Sequence, residues 1–176
     1  MPKKRKAIRD HVAQKIRDAD LEVGQRVWTG RSKAVRRQDI PGAIVYTASE
    51  TASQEATGDR LAHLRQCLVT IDVILALGED IDDRLDALAY AIEDAVLTDP
   101  TMGGNAEWVA LQSVDTDIVR LGNGGPEIGV AKIQMEARYM TVHALPEIDD
   151  YEVDEVYVGI APKAGPDHKD DYTQVV

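Results

Sequence analysis

The order of apolar patterns along the chain predicts an α+β domain, a mainly antiparallel sheet of four to five strands with two principal helices packed on one face. Three observations predict it. Two segments repeat apolar residues at helical spacing. Three long segments alternate apolar and polar residues at strand spacing. The elements follow one another as helix, strand, strand, helix, strand, strand, so neighbouring strands are joined by loops or hairpins rather than by helical crossovers.

The first helix starts near Lys3, after Pro2, and runs to about Asp20 with no Gly or Pro inside it. Ile8, Val12 and Ile16 form a narrow apolar stripe among Lys, Arg and Asp, and Gly24 is a natural stop. Val27 and Trp28 suit a short strand, and Ala43–Thr47 is a β-rich run after Pro41. Residues 48–59 are small and polar and read as a mobile loop. Residues 60–77 then read as a long strand with Cys67, Val69, Ile71, Val73 and Leu75 on one face. In residues 79–97 Ile81, Leu85, Leu88, Ile92 and Val96 share one helical face. Asp80, Asp82 and Asp83 crowd its first turn, where exposed N–H groups favour carboxylates. Thr98-Asp99-Pro100 ends it, and Met102-Gly103-Gly104 reads as an exposed turn. Residues 107–121 and 127–142 read as two strands around Gly122-Asn123-Gly124-Gly125-Pro126. In the second, Gly129, Ala131, Ile133, Met135, Ala137 and Tyr139 make a small, apolar face fit to lie under a helix. A domain over 1–145 is expected. An acidic extension over 146–176 follows, with one strand near Val153–Ile160 and disorder from Gly165 onward.

The chain has 176 residues, which suits one domain with a core of its own. No run of about 18 apolar residues suggests a membrane span, and no apolar stretch after the first charges suggests a secretory leader. One cysteine, Cys67, fits a reducing compartment. The net charge of −11 is divided between two regions. Residues 1–37 hold 12 Lys/Arg against 4 Asp/Glu, and the remainder holds 8 against 27. A chain with two signs has the means to attract copies of itself or a charged partner.

Catalytic and cofactor chemistry finds no constellation. His11, His63, His143 and His168 stand apart, and no His/Cys pair has zinc spacing. Glu79, Asp80, Asp82, Asp83 and Asp86 read as a capped, solvated helix start rather than a cation site. Asp149-Asp150 and Asp154-Glu155 read as a solvated tail, and Cys67 as a small buried hydrophobe. Gly122–Gly125 is followed by no Lys-Ser/Thr, so it is a turn and no phosphate cradle. No nucleophile elbow is present, and no enzyme, metal or cofactor is expected. The basic run Lys3-Lys4-Arg5-Lys6 leaves a nucleic-acid module as an alternative, although Trp28 is the sole aromatic among these charges.

Several pieces then occur in a telling order. Arg36-Arg37 leads into Pro41-Gly42-Ala43-Ile44-Val45-Tyr46, and after a polar loop comes Leu68-Val69-Thr70-Ile71-Asp72-Val73. Asp82-Asp83-Arg84-Leu85-Asp86-Ala87-Leu88-Ala89 and Ala91-Ile92-Glu93 follow, closed by Thr98–Gly104. Asp115-Thr116-Asp117, Ile128-Gly129-Val130-Ala131 and Arg138-Tyr139-Met140-Thr141 complete the series. Over residues 25–142 this order resembles the tail terminator family of long-tailed bacteriophages, the minor tail protein U-like proteins. The resemblance implies a structural virion protein at the head-proximal end of the tail. Such a subunit forms a homo-oligomeric ring, usually a hexamer. The ring caps the tail tube protein, stops its polymerisation and offers a surface to head-tail connector or neck proteins. It implies no catalysis, and neither a membrane nor nucleic acid is required. A neck or head-completion adaptor is the alternative within the same class. The candidate subunit or partner interface comprises Arg26, Arg31, Lys33, Arg36 and Arg37 from the basic segment, Glu50 and Glu55 from the loop, and Asp99 and Met102 from the turn.

Overall fold

The computed structural model describes residues 4–30, 35–57, 60–120, 127–144, 156–158 and 173–175. Helix α1 spans Lys4–Asp18 and buries Ile8, Val12, Ala13 and Ile16. Lys6 and Asp10 pair one turn apart, Gln14 donates to Asp18 at 2.8 Å, and Lys15 and Arg17 sit near the exposed carbonyls of the last turn. The helix gives way to left-handed backbone at Asp20 (φ 51°) and Gly24 (φ 52°). Strand β1 (Val27–Thr29) follows, then one 3-10 turn at Arg37–Asp39, a cis Ile40–Pro41 bond and strand β2 (Gly42–Thr57). Strand β3 (Arg60–Ala76), helix α2 (Ile81–Leu97), strand β4 (Trp108–Arg120) and strand β5 (Glu127–Ala144) complete the unit.

The sheet has the order β1-β2-β3-β5-β4. β1 lies parallel to β2, and every other pairing is antiparallel. The fold is therefore α+β, as the patterning predicts. The sequence expectation fails at residues 48–59. β2 does not end at Thr47 but continues to Thr57, paired with β3 from Ser49↔Leu68 to Thr57↔Arg60. A bulge between Thr47 and Ser49 shifts the register by one residue. Small polar residues form a strand here because β3 supplies the ladder, although they lack the apolar alternation that announces one. Residues 58–59 lie outside the described residues, as do the Gly122–Gly125 turn, His168 and the acidic pairs near Asp149 and Asp154.

Both helices cover the same face. Ala43 and Val45 of β2, alternate residues Cys67–Leu75 of β3, and Ala131, Ile133, Met135, Ala137 and Tyr139 of β5 meet the buried faces of α1 and α2 in one core. Full burial of each such Leu, Ile or Met contributes roughly 1.5–3 kcal/mol. Gly129 of β5 lies directly under α2. A Cβ there would stand 2.8 Å from Ile81 Cγ1 and 3.0 Å from Leu85 Cδ1. On the other face a smaller cluster of Ile44, Ile74 and Ile128 is covered by Trp28, Val35 and Ile40. Contacts within the chain divide it into Met1–Ala144 and Leu145–Val176. In the second unit β6 (Val156–Val158) pairs antiparallel with β7 (Thr173–Val175), so a strand also occurs in the stretch expected to be disordered.

Candidate functional site

Charge follows the strand order. α1 packs on β1 and β2, and α2 on β3, β5 and β4. α1 carries Lys4, Arg5, Lys6, Arg9, Lys15 and Arg17 against Asp10 and Asp18. α2 carries Asp82, Asp83, Asp86, Glu93 and Asp94 against Arg84, and β4 adds Asp115 and Asp117 against Arg120. α1, over β1 and β2, is thus net basic and α2, over β3, β5 and β4, net acidic, while β2 itself carries only Glu50 and Glu55 as charged residues. Arg84 of α2 also pairs at 2.5 Å with Glu22, in the turn that follows α1, an ion pair largely exposed and worth about 0.5 kcal/mol.

The structure separates the candidate residues into three groups. Arg36 and Arg37 are exposed, on the segment whose Val35 and Ile40 cover the sheet face opposite the helices, and Glu55 is exposed near the end of β2. Arg31 and Lys33 lie outside the described residues. The others are engaged within the fold. Arg26 donates from Nε to the Pro41 carbonyl at 2.5 Å and from Nη2 to the Glu22 carbonyl at 3.2 Å, so its guanidinium fastens the chain before β2. Asp99 accepts from the Thr101 hydroxyl at 2.7 Å, the Gly103 N–H at 2.8 Å and the Thr101 N–H at 3.2 Å. The Thr101 and Gly103 hydrogen bonds hold its carboxyl at about 2. His11 Nε2 of α1 lies 3.0 Å from Asp99. Met102 does not belong to an exposed turn. It is fully buried and joins the core, because left-handed backbone at Met102 (φ 51°), Gly103 (φ 65°) and Gly104 (φ 79°) folds the turn back over its own side chain.

Glu50 belongs to a network that the loop reading hides. Arg65 faces Tyr139 across the β3–β5 ladder, with Glu50 diagonal to Arg65 on β2. Arg65 Nη1 and Tyr139 Oη each donate to Glu50 at 2.5 Å, and Arg65 Nε donates to Thr141 at 2.9 Å. With Lys4 and Arg5 of α1 these groups line a cavity of about 380 Å³. Burial raises the Glu50 pKa, but the Tyr139 and Arg65 hydrogen bonds outweigh it and leave the carboxyl below its ordinary value. Burial, then the bond to Glu50, pushes Tyr139 up. A group with a depressed folded pKa stabilises the fold above its unfolded value. The Glu50 contribution is therefore complete above the ordinary 4.5 and is lost as pH falls through the lower folded value. Glu50→Gln is expected to cost about 1.5–3 kcal/mol at pH 7. The difference from wild type in urea midpoint should shrink on acidification below pH 4, and an equal gap at all pH values would refute this assignment.

The sequence also gave no sign of the open edge at β4. Among the described residues, six large apolar side chains are exposed, and Val114, Ile118 and Val119 of this one strand are three of them. A metal centre is absent among the described residues, where no three His, Cys, Asp or Glu side chains cluster. No described helix is long and apolar enough to cross a membrane.

No family model matches the chain, and no curated protein matches it. Among the solved structures that match is one titled "Virion of native gene transfer agent (GTA) particle", with a TM-score of 0.38 and 13% identity over 74% of this chain and 92% of that one, a likeness too slight to assign a function.

Proposed function

We propose that the chain is a structural virion protein, a tail terminator whose copies close into a ring, with six the expected number, at the head-proximal end of a phage tail. The ring caps the tail tube protein, halts its growth and presents its far side to a neck protein. The observation that carries this reading is the opposite net charge of the two helices, which cover opposite halves of the sheet. α1 lies over β1 and β2, and α2 over β3, β5 and β4. Such a subunit suits head-to-tail contacts, in which one patch meets a different patch on the next copy and closure gives a ring. Complementary charge steers encounter and sets register. The order of sequence pieces over residues 25–142 supplies the identification with tail terminators. The function needs no catalytic group.

Electron microscopy of the purified protein, alone and with its tube protein, tests the proposal. Rings and tubes of fixed length are expected. A protein that is monomeric at every salt and protein concentration, and leaves tube length unchanged, refutes it. Assembly should weaken with salt. Arg36→Glu with Arg37→Glu should weaken it roughly tenfold by sedimentation without loss of folding. Unchanged assembly would remove these two residues from the interface. A salt-sensitive shift of DNA with no rings would favour the nucleic-acid module instead.

A further inference from the structure

We infer that the cavity between the first turn of α1 and strands β2, β3 and β5 is an oxyanion seat that takes a carboxylate group. The seat stands on its own geometry, and only the source of the carboxylate rests on the ring reading.

Lys4, Arg5, Glu50, Arg65, Tyr139 and Thr141 line this space of about 380 Å³. Its mouth is basic and open, because Lys4 and Arg5 are exposed. Its floor is made of groups held in place. Tyr139 is 3% exposed, and the side chains of Glu50 and Arg65 are 12% and 28% exposed. Strand register gathers them. Glu50 pairs with Cys67, and Arg65 with Tyr139, so all of them share the sheet face that the helices cover.

The hydrogen-bonding capacity of these walls is unbalanced. The acceptors are occupied. Glu50 accepts from Arg65 and Tyr139, and the Thr141 oxygen accepts from Arg65 Nε. Donors remain. The bonds to Glu50 and Thr141 use only part of the Arg65 guanidinium, and Thr141 keeps its own hydroxyl proton. Lys4 gives one N–H to the Met140 carbonyl at 3.2 Å, and its ammonium lies 5.8 Å from the centre of the Tyr139 ring. Arg5 acts on Glu50 through space and not through a hydrogen bond, which leaves its planar fork for another acceptor. Three cations face one carboxylate, so the recess is net positive where water screens less than on an open surface. No acidic residue of α1 stands in its first turn to answer the partial positive charge of the helix there. Surplus donors and surplus positive charge both suit an acceptor-only anion. Glu50 narrows the class. Its fixed charge opposes a dianion such as phosphate, whereas a singly charged, planar carboxylate matches the Arg5 fork.

In a ring the next copy supplies such a group. α2 carries Asp82, Asp83, Asp86, Glu93 and Asp94, none of them in an ion pair with another described residue, and its one cation, Arg84, is engaged with Glu22.

Nuclear magnetic resonance of the full chain, dilute enough to stay dissociated, tests the seat with sodium acetate as the probe and sodium chloride holding the ionic strength constant. Saturable shifts are expected at the Arg65 Nε–H and at the amides of Glu50, Tyr139 and Thr141. Arg5→Gln, at an exposed side chain, should weaken acetate binding about tenfold with Tm unchanged. Arg5→Lys keeps the charge without the fork and should recover only part of the loss. Lys15→Gln, in the last turn of α1, should leave binding as it is. No saturable shift, or an equal loss in Lys15→Gln and Arg5→Gln, overturns the seat and leaves the ring reading standing. Tighter binding of inorganic phosphate than of acetate overturns the carboxylate assignment. Assembly identifies the source. With the next copy in the seat, Arg5→Gln weakens assembly about tenfold as well, and acetate in place of chloride dissociates the rings. Normal assembly of an Arg5→Gln chain that has lost acetate binding upholds the seat for a free carboxylate and overturns the neighbour as its source. A wild-type chain that binds acetate and never assembles upholds the seat and overturns the ring reading.

Discussion

Truncating Leu85 to alanine is expected to destabilise the domain by about 3–4 kcal/mol, in the middle of the range for buried leucines. Leu85 is fully buried on the inner face of α2. Its Cδ1 would lie 3.0 Å from a Cβ at position 129, so its floor is the bare backbone of Gly129 on β5. Backbone in the middle of a five-stranded sheet does not move up to fill the void, so the loss combines transfer and cavity costs. For a chain of this size that corresponds to a fall of roughly 10 °C in Tm. Urea unfolding should show a lower midpoint with an unchanged slope. Leu77→Ala, at a side chain 44% exposed, serves as the control and should change stability by less than about 0.5 kcal/mol. Gly129→Ala alone should destabilise by pressing on Ile81 and Leu85. With Leu85→Ala already present its cost should fall, since one of the crowded side chains is gone. Strict additivity of the two substitutions would show that the helix and sheet do not meet at this point.

Gly42→Ala is the second large effect. A Cβ at Gly42 would lie 2.5 Å from the Asp39 carbonyl oxygen, 2.8 Å from Trp28 Cζ3 and 3.2 Å from the Arg26 carbonyl oxygen. Two of these three atoms are backbone, so no rotamer change relieves the overlap. β2 is also paired on both sides at its first residues, with β1 through Val27↔Ala43 and with β3 through Gly42↔Ile74. Relief must come from moving the segment that carries Arg26, Trp28 and Asp39. The Arg26–Pro41 hydrogen bond and the apolar cluster under Trp28 hold that segment in place. A cost of about 3 kcal/mol is expected, at the high end for overpacking. A loss below about 0.5 kcal/mol by urea unfolding would mean that the 26–41 segment shifts freely.

The parts of the fold legible in the sequence are those with a long period. Ile81 to Val96 repeat on one helical face, and Cys67 to Leu75 and Ala131 to Tyr139 alternate for long stretches, because each is buried on one side only. The outer half of β2 was not legible. Ser49–Thr57 carries no alternating apolar set, and what makes it a strand is pairing with residues up to Leu68, information that no local window contains. The same blind spot concealed Glu50's partners, since Arg65 and Tyr139 reach it only across that ladder. The two-signed charge was legible from counting. Its alignment with the strand order was not, because β5, last of the long strands in sequence, inserts between β3 and β4 and leaves β4 on the edge. Met102 was misread for a related reason. Two glycines beside a methionine suggest an exposed turn, and only the fold shows the turn closing over its side chain.

Cys67 sits near the middle of β3, fully enclosed between sheet and helices, and burial pushes its thiol up to about 11. It is the chain's only sulfhydryl. A reagent that needs an accessible thiolate finds neither access nor charge while the helices lie on the sheet. The rate at which this sulfur is alkylated is thus a clock for the parting of those two layers. Because the label reports from one place only, it times that event without interference from any other site on the molecule.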